Sequence, residues 1–302
     1  MLTLTRLKVL SKVGLADFVT SSAPHLAQLC DRASYGTDLG FSNLPLQFEQ
    51  KYGFPGCGVK RTALNLALKE ALNVAGIPVH EGWKLREVVE KVDCVIAISE
   101  DGREVEGSFM IGCDGIKAMS RSLVLKGHGL GEEVADYTGL IQVSSGCLLE
   151  YIEFLTSLQT AGMSPTPPSL ATRPTMLNIY GPGAHIICYP VSPTTISWAI
   201  TQRDVTEAQE TWRLFSTSEM LQHRGQLLEQ FKDWCSPVPE LISKAQRIIK
   251  YGLYDRPQLE PEQWFSPKGR VVLIGDAAHP TSPHLGQGAN QALSVKQFPL
   301  PS

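Results

Sequence analysis

Paired cysteines, an excess of either charge and long apolar runs are all missing from this chain. Seven cysteines stand singly at 30, 57, 94, 113, 147, 188 and 235, with no CxxC pair and no histidine at zinc-ligand spacing. Neither a disulfide framework nor a metal site is therefore expected, and free buried thiols are. Lys and Arg number 27 against 30 acids, a formal net charge of −3. That balance lacks the basic footprint of a nucleic-acid binder. The best apolar run, around 147–158, is broken by Glu150 and Glu153, short of the ~18 residues a membrane-spanning helix needs. Arg6, Lys8 and Lys12 precede the first acid, Asp17. No small-residue cleavage pattern follows an apolar core, so the segment reads as helix and not as a targeting peptide. A cytoplasmic protein is expected.

What is present is hydrophobic: 43% of 302 residues are apolar and only 19% charged. That excludes wholesale disorder and leaves room for one large domain or two ordinary ones. Residues 5–20 read as an amphipathic helix, followed by a loose stretch through Gly36 and Gly40 and a glycine–proline loop at 53–58. A helix is predicted over 62–75, with Leu64, Leu68 and Leu72 on one stripe and Gly76 as its stop. Residues 92–98 read as a strand, turned by Asp101-Gly102 into a second strand over 104–112. The Pro/Ser/Thr-rich stretch at 160–175 reads as a long loop. Residues 185–189 and 195–201 read as strands, 219–234 as a helix, and 270–274 as a short buried strand. No internal repeat is visible.

The buried strand feeds the most informative stretch, Gly275-Asp276-Ala-Ala-His279-Pro-Thr-Ser-Pro283-His-Leu-Gly286-Gln-Gly288-Ala289-Asn290. Glycines there let backbone N–H groups approach a ligand, and a helix N-terminus adds partial positive charge. A carboxylate at the carboxyl end of a strand, where open α/β sheets place ligands, can accept hydroxyl protons from a sugar or polyol. Sixteen residues in this order outweigh a plain glycine turn with Asp276 as a cap.

This stretch resembles the flavin-binding "GD" motif of class A FAD-dependent monooxygenases of the salicylate hydroxylase and para-hydroxybenzoate hydroxylase type. The resemblance implies that Asp276 meets the FAD ribose and that Pro283, Gly286, Gly288, Ala289 and Asn290 line the flavin loop. Two further segments agree, in family order. Asp114-Gly115-Ile-Lys-Ala118-Met-Ser-Arg121 is similar to the family's Asp-Gly-x-x-Ser-x-x-Arg motif, tied to FAD pyrophosphate and NAD(P)H, with Ala118 in place of the usual Ser. Arg61-x-x-Leu64-x-x-x-Leu68 looks like the helix whose leading Arg reaches the FAD phosphates. The segments around His185 and Tyr189, and Tyr254-Asp255-Arg256-Pro257, resemble the substrate-domain sheet and its return to the flavin domain. His185 and Tyr189 are candidate substrate contacts, although strand tyrosines are commonly core. His279 is a candidate for a proton role, its place in the motif turn favouring a structural one.

The implied fold is α/β with α+β character: an incomplete Rossmann-like FAD-binding domain with an inserted substrate domain on a mostly antiparallel sheet. The implied division is 1–126 and 259–302 for the FAD-binding domain and 127–258 for the substrate domain. The family opens with a strand, a Gly-x-Gly-x-x-Gly turn and a helix; this sequence has no such fingerprint. At the other end Pro299 and Pro301 cannot continue the family's long helix. The expectation is a chain cut at both ends of the flavin domain. Two readings stay open. One is an FAD-dependent, NAD(P)H-consuming monooxygenase that takes up O2 as a flavin hydroperoxide and hydroxylates an aromatic ring, in a role such as secondary metabolism. The other is a non-catalytic fragment or pseudoenzyme of that family with weak or no FAD binding.

Overall fold

A computed structural model of the chain describes residues 4–131, 136–144, 164–203, 216–245 and 248–280. In chain order its elements are α1 (Leu4–Lys12), α2 (Ala16–Ser22), β1 (Gln28–Ala33), β2 (Asp38–Ser42), α3 (Phe48–Tyr52), α4 (Arg61–Val74), β3 (Leu85–Glu90), β4 (Val95–Ser99), β5 (Glu104–Gly107) and β6 (Met110–Gly112). Then come α5 (Met119–Gly127), β7 (Asp136–Ser144), β8 (Ser164–Pro165), α6 (Pro168–Ala171), β9 (Thr175–Gly181), β10 (Ala184–Ser192), β11 (Thr195–Arg203), α7 (Thr217–Gln230), α8 (Val238–Ser243), β12 (Ile249–Asp255) and β13 (Val271–Leu273). Two compact units result: residues 1–74 with 139–253, and residues 75–138 with 254–302.

The first unit is built on an eight-stranded sheet in the order β12-β7-β11-β10-β9-β1-β2, with β8 paired to β11. The described registers are antiparallel for β1–β2, β9–β10, β10–β11, β11–β7 and β11–β8, and parallel over six residues for β1 against β9. Alternation along the strands separates two unlike faces. One carries Leu177, Ile179, Ile186, Cys188, Ile196, Trp198 and Ile200, all buried with Leu227 of α7, Phe231 at its C-terminal cap, and Leu241 and Ile242 of α8. Inside this core the Trp198 indole N–H donates to Ser164 Oγ at 3.1 Å, and that hydroxyl donates to the Leu241 carbonyl at 2.7 Å. The buried polar atoms therefore satisfy one another. Helix α7 starts on a complete capping box, Ser216 with Glu219.

The second unit joins a three-stranded antiparallel sheet, β3-β4-β5, to a parallel pair, β6 with β13. Val95, Val124, Leu125, Leu259, Val271 and Leu273 form its core. Glu90 knits the two sheets: its carboxylate accepts from Ser266 Oγ at 2.6 Å and from the Arg270 N–H at 3.2 Å.

Several sequence expectations change here. The helix expected over 5–20 is two, because Gly14 takes φ +74° and the chain closes with Leu15 N–H on the Leu10 carbonyl at 2.9 Å. The stretch expected to be loose through Gly40 instead holds β1 and most of β2, paired as a hairpin. The strand expected over 104–112 splits at Ser108, whose carbonyl accepts from Arg270 Nη1 at 2.8 Å; β5 stays with β4 while β6 turns to β13. The loop expected over 160–175 contains β8 and α6. The helix expected over 62–75 is α4, ended by Gly76 at φ +69°.

Candidate functional site

Strands β6 and β13 pair in parallel register, Met110 with Val271, Val272 with Ile111 and Leu273 with Gly112. Two sequence-distant motifs thus leave their strands at the same end. Cys113-Asp114-Gly115 follows β6, and Gly275-Asp276 follows β13, with the Ile274 N–H donating to the Gly112 carbonyl at 2.9 Å. This is the carboxyl edge of a parallel pair, where ligands bind open α/β sheets. Gly275 takes φ +59° and Gly115 φ +85°, conformations that favour glycine. Asp276 is exposed at the mouth of the turn, while Gly275 and Ala277 beside it are buried.

The Asp114 loop has internal work to do. The residue before α5, Ala118, occupies the N-cap position, and its side chain offers no cap. The Asp114 carboxylate takes that role, accepting from the Ser120 N–H at 3.0 Å and from the Ser120 hydroxyl. The hydroxyl missing at 118 is thereby replaced from four residues upstream. Arg121, placed by the resemblance near pyrophosphate and NAD(P)H, is fully buried. Its guanidinium donates to the carbonyls of Ala278 at 3.1 Å, Ala277 at 3.4 Å and Pro257 at 2.7 Å. It braces the Gly275–Ala278 turn from below. Arg256, in the segment that resembles the return to the flavin domain, donates from Nε to the Ile116 carbonyl and pins the same loop. The His279 ring tilts against Trp264 at 5.4 Å, and the His279 backbone N–H donates to the Gly275 carbonyl at 2.9 Å. Pro283, Gly286, Gly288, Ala289 and Asn290 lie outside the described residues.

The first unit offers a different surface. The sheet face opposite its core carries Asn178 and Tyr180 on β9, His185 and Tyr189 on β10, and Ser197 and Thr201 on β11. His185 pairs in register with Tyr180 on one side and Thr201 on the other, and the two rings stack at 4.6 Å and 15°. Asn178 donates to Asp31 at 2.8 Å. Partial desolvation and, second, the Asp31 carboxylate hold the Tyr180 phenol above its ordinary value, so it is a hydroxyl donor at neutral pH. Tyr180 is the residue sequence reasoning missed; its signal was the alternation of Asn178 and Tyr180 with buried Leu177 and Ile179. Near Tyr189 the loop before α4 comes close: a Cβ on Gly58 would lie 2.1 Å from the Pro190 carbonyl and 3.0 Å from the Tyr189 ring. Arg61, the first residue of α4, follows three residues later and is exposed.

Among the described residues no group of acids, cysteines and histidines could hold a metal ion, and no helix is long and apolar enough to cross a membrane. The six described cysteines are free thiols, with Cys30, Cys57 and Cys188 buried and Cys113 exposed.

Comparison with known proteins places these features in a lineage. A family model described as "FAD binding domain" matches residues 263–295, the stretch that contains Gly275 and Asp276. The chain is 27% identical over 289 residues to 3-amino-4-hydroxybenzoate 2-monooxygenase of Streptomyces cremeus, covering 95% of this chain and 64% of that protein. It is 28% identical over 218 residues to a salicylate hydroxylase of Pseudomonas putida, covering 72% of this chain and 48% of that one. The chain is homologous to class A flavin-dependent monooxygenases. In structure it is similar to Klebsiella pneumoniae HpxO complexed with FAD and uric acid, with a TM-score of 0.75 at 21% identity, over 96% of this chain and 66% of that one. That likeness establishes the mixed helix-and-sheet fold expected from sequence. The chain thus spans about two thirds or less of these relatives' length.

Proposed function

We propose that this chain carries the FAD and substrate surfaces of a monooxygenase that hydroxylates an aromatic or similarly electron-rich small molecule, with NAD(P)H as reductant and O2 as co-substrate. The observation that carries the reading is the parallel pairing of β6 with β13, which brings the Asp114-Gly115 and Gly275-Asp276 segments out at one edge. The donor set fits the cofactor. An exposed carboxylate, Asp276, stands beside a left-handed glycine where a polyol or ribose hydroxyl can donate to it. Gly115, where a Cβ would meet nothing within 4 Å, leaves room for close backbone approach.

When bound, FAD supplies the redox and oxygen-transfer chemistry. The chain's own residues hold and orient. Asp276 accepts hydroxyl hydrogen bonds, and Gly275 and Gly115 let backbone reach the ligand. Asp114 shapes its loop by capping α5. Arg61 takes phosphate charge, as the resemblance implies, and Pro283, Gly286, Gly288, Ala289 and Asn290 line the flavin loop. Arg121 is assigned a bracing role and not a contact. Tyr189 and His185 orient a planar ring, aided by the Tyr180 hydroxyl; the stacked Tyr180–His185 pair keeps the imidazole plane fixed. A paired face of hydroxyls and imidazole suits phenolic, carboxylate or heteroaromatic substrates, which the names of the relatives also favour. The alternative, a non-catalytic relative with little FAD affinity, draws on one observation: among the described residues β6 pairs on one edge alone.

Flavin titration separates the two. Adding FAD to the purified chain is expected to give saturable quenching of flavin fluorescence, weakened at least ~10-fold, or about 1.4 kcal/mol, by Asp276→Ala. Because Asp276 is exposed, circular dichroism and melting of the variant should match the parent. A folded chain that shows no saturable binding would overturn the enzyme reading for this polypeptide.

A further inference from the structure

The face of the large sheet that carries the core ends, towards its β1–β2 edge, in a concavity of about 260 Å³. Residues two apart on a strand share a face, so Gln28, Cys30 and Arg32 of β1 look to the side opposite Asp31. These three line the concavity, together with Phe41 of β2, Leu170 of α6 and Arg173 just before β9. The pocket therefore lies behind the sheet from Tyr180 and His185, which share the face of Asn178 and its partner Asp31.

Three charged side chains border it: Arg32, Asp38 and Arg173. Asp38 is already committed. Its carboxylate accepts from Arg32 Nε at 2.6 Å, and that bond holds the carboxyl below its ordinary value. One positive charge is left uncompensated, which selects against a cation and for a monoanion. Arg173 Nη2 donates to Asn43 Oδ1 at 2.9 Å, and Gln28 Nε2 donates to the same oxygen at 3.3 Å. The Arg173 fork is thus held in place before any ligand arrives. A guanidinium carries five N–H donors. Among the described residues Arg32 and Arg173 each spend one nitrogen on a side-chain partner, so both keep donors for an occupant. The remaining wall is apolar, and Phe41 is 67% exposed; a ligand lying on that ring removes apolar surface from water. The volume is below the ~300–1,000 Å³ of drug-sized sites, so the occupant is a single ring or a short chain.

We propose that this pocket binds a small monocarboxylate with an apolar body, of the benzoate type, its carboxylate on the guanidiniums of Arg173 and Arg32 and its body against Phe41 and Leu170. Planar forks match a carboxylate by paired N–H donors. An acid held here has the sheet between it and His185 and Tyr189, so this is a second acid site and not the substrate face. Its occupancy needs no flavin.

The test uses the full chain without flavin, sodium benzoate as the probe and benzamide as its neutral isostere. Calorimetry is expected to show saturable benzoate binding, and amide exchange read by mass spectrometry to slow over 28–42 and 168–177. Arg173→Gln should weaken that protection at least ~10-fold, through loss of charge-assisted bonds. Arg173 and Phe41 are both exposed, so melting of Arg173→Gln and of Phe41→Ala should match the parent. Phe41→Ala should weaken benzoate about 3-fold or more. His185→Ala, on the opposite face, should leave protection over 28–42 unchanged. Benzamide that protects 28–42 as well as benzoate does would overturn the proposal. So would protection confined to 178–189 and lost in His185→Ala, which would put the acid on the substrate face alone. A folded chain whose exchange over 28–42 ignores benzoate would overturn it too.

Discussion

Arg121 and Ala278 are 157 residues apart in sequence, yet the guanidinium of the first donates to the carbonyl of the second at 3.1 Å. The Asp-Gly and Gly-Asp motifs are therefore one mechanical device. A buried cation holds the turn that presents Asp276, and Asp114 caps the helix that carries that cation.

Arg121→Ala should cost about 3 kcal/mol or more, because it strips several charge-assisted bonds and leaves buried carbonyls unpaired. Arg121→Lys should recover little, since an ammonium cannot span the carbonyls of Pro257, Ala277 and Ala278 as a planar fork does. Urea unfolding followed by far-ultraviolet circular dichroism measures both. A variant within about 0.5 kcal/mol of the parent would mean that the turn holds itself. Flavin affinity measured below the unfolding transition separates bracing from contact, for a brace loses stability first.

Gly112 marks where backbone must approach closely. A Cβ there would meet Ser120 Oγ at 2.3 Å, Ser120 Cβ at 2.6 Å and Leu273 Cδ2 at 2.9 Å. Gly112→Ala should push the start of α5 away from β6, break the Ser120–Asp114 bonds and destabilise by about 1–3 kcal/mol. Gly131→Ala, where nothing lies within 4 Å, should change the denaturation midpoint by less than the error of the measurement.

Local signals in the sequence were read well where structure is local. The 3.6-residue stripe of Leu64, Leu68 and Leu72 with Gly76 after it defines α4, and Asp101-Gly102 defines the β4–β5 turn. The apolar strand before Gly275 is β13. What local pattern could not give is pairing across long separations. β1 has one well-buried residue at each of Cys30 and Ala33 and becomes a strand because β9, almost 150 residues later, lies alongside it. The break at Ser108 is equally invisible, since 104–112 alternates acceptably as one strand and divides only because two different partners claim its halves. Gly275 and Gly115 are set by a backbone angle that a short motif can carry, whereas what Arg121 touches depends on which carbonyls surround it in the fold.

Buried thiols give the protein an alkaline limit. Burial pushes Cys57 up to about 11 and Cys188 up to about 12, from an ordinary 9.0. A raised acid favours its protonated form in the fold, so this stabilisation is fully present below pH 9.0. It is eroded as the unfolded chain ionises more readily, from pH 9.0 towards the folded values. The expected slope is about 1.4 kcal/mol per pH unit for each thiol. Urea midpoints at pH 7.5, 9 and 10.5 should therefore dip slightly at pH 9, where the unfolded thiols are half ionised, and fall steeply at the last. Cys188→Ala should flatten that fall even though it lowers stability at every pH, because the cavity term is independent of pH.

The polar face of the large sheet leads to the prediction that separates substrate binding from cofactor binding. His185, stacked on Tyr180 at 4.6 Å, and Tyr189, under the close approach of Gly58, sit on a face whose reverse is solid core. Changing them should leave that core intact. His185→Ala removes an imidazole and frees Tyr180 to reorient; it should raise KM for a hydroxybenzoate-type probe about 10-fold, the equivalent of one or two lost neutral hydrogen bonds. Tyr189→Phe, which keeps the ring and deletes the hydroxyl, should raise KM for phenolic or carboxylate probes more than for those lacking such groups. Flavin affinity should stay within twofold of the parent in both. A loss of flavin affinity in His185→Ala with unchanged substrate KM would instead assign this face to the cofactor and move the substrate elsewhere.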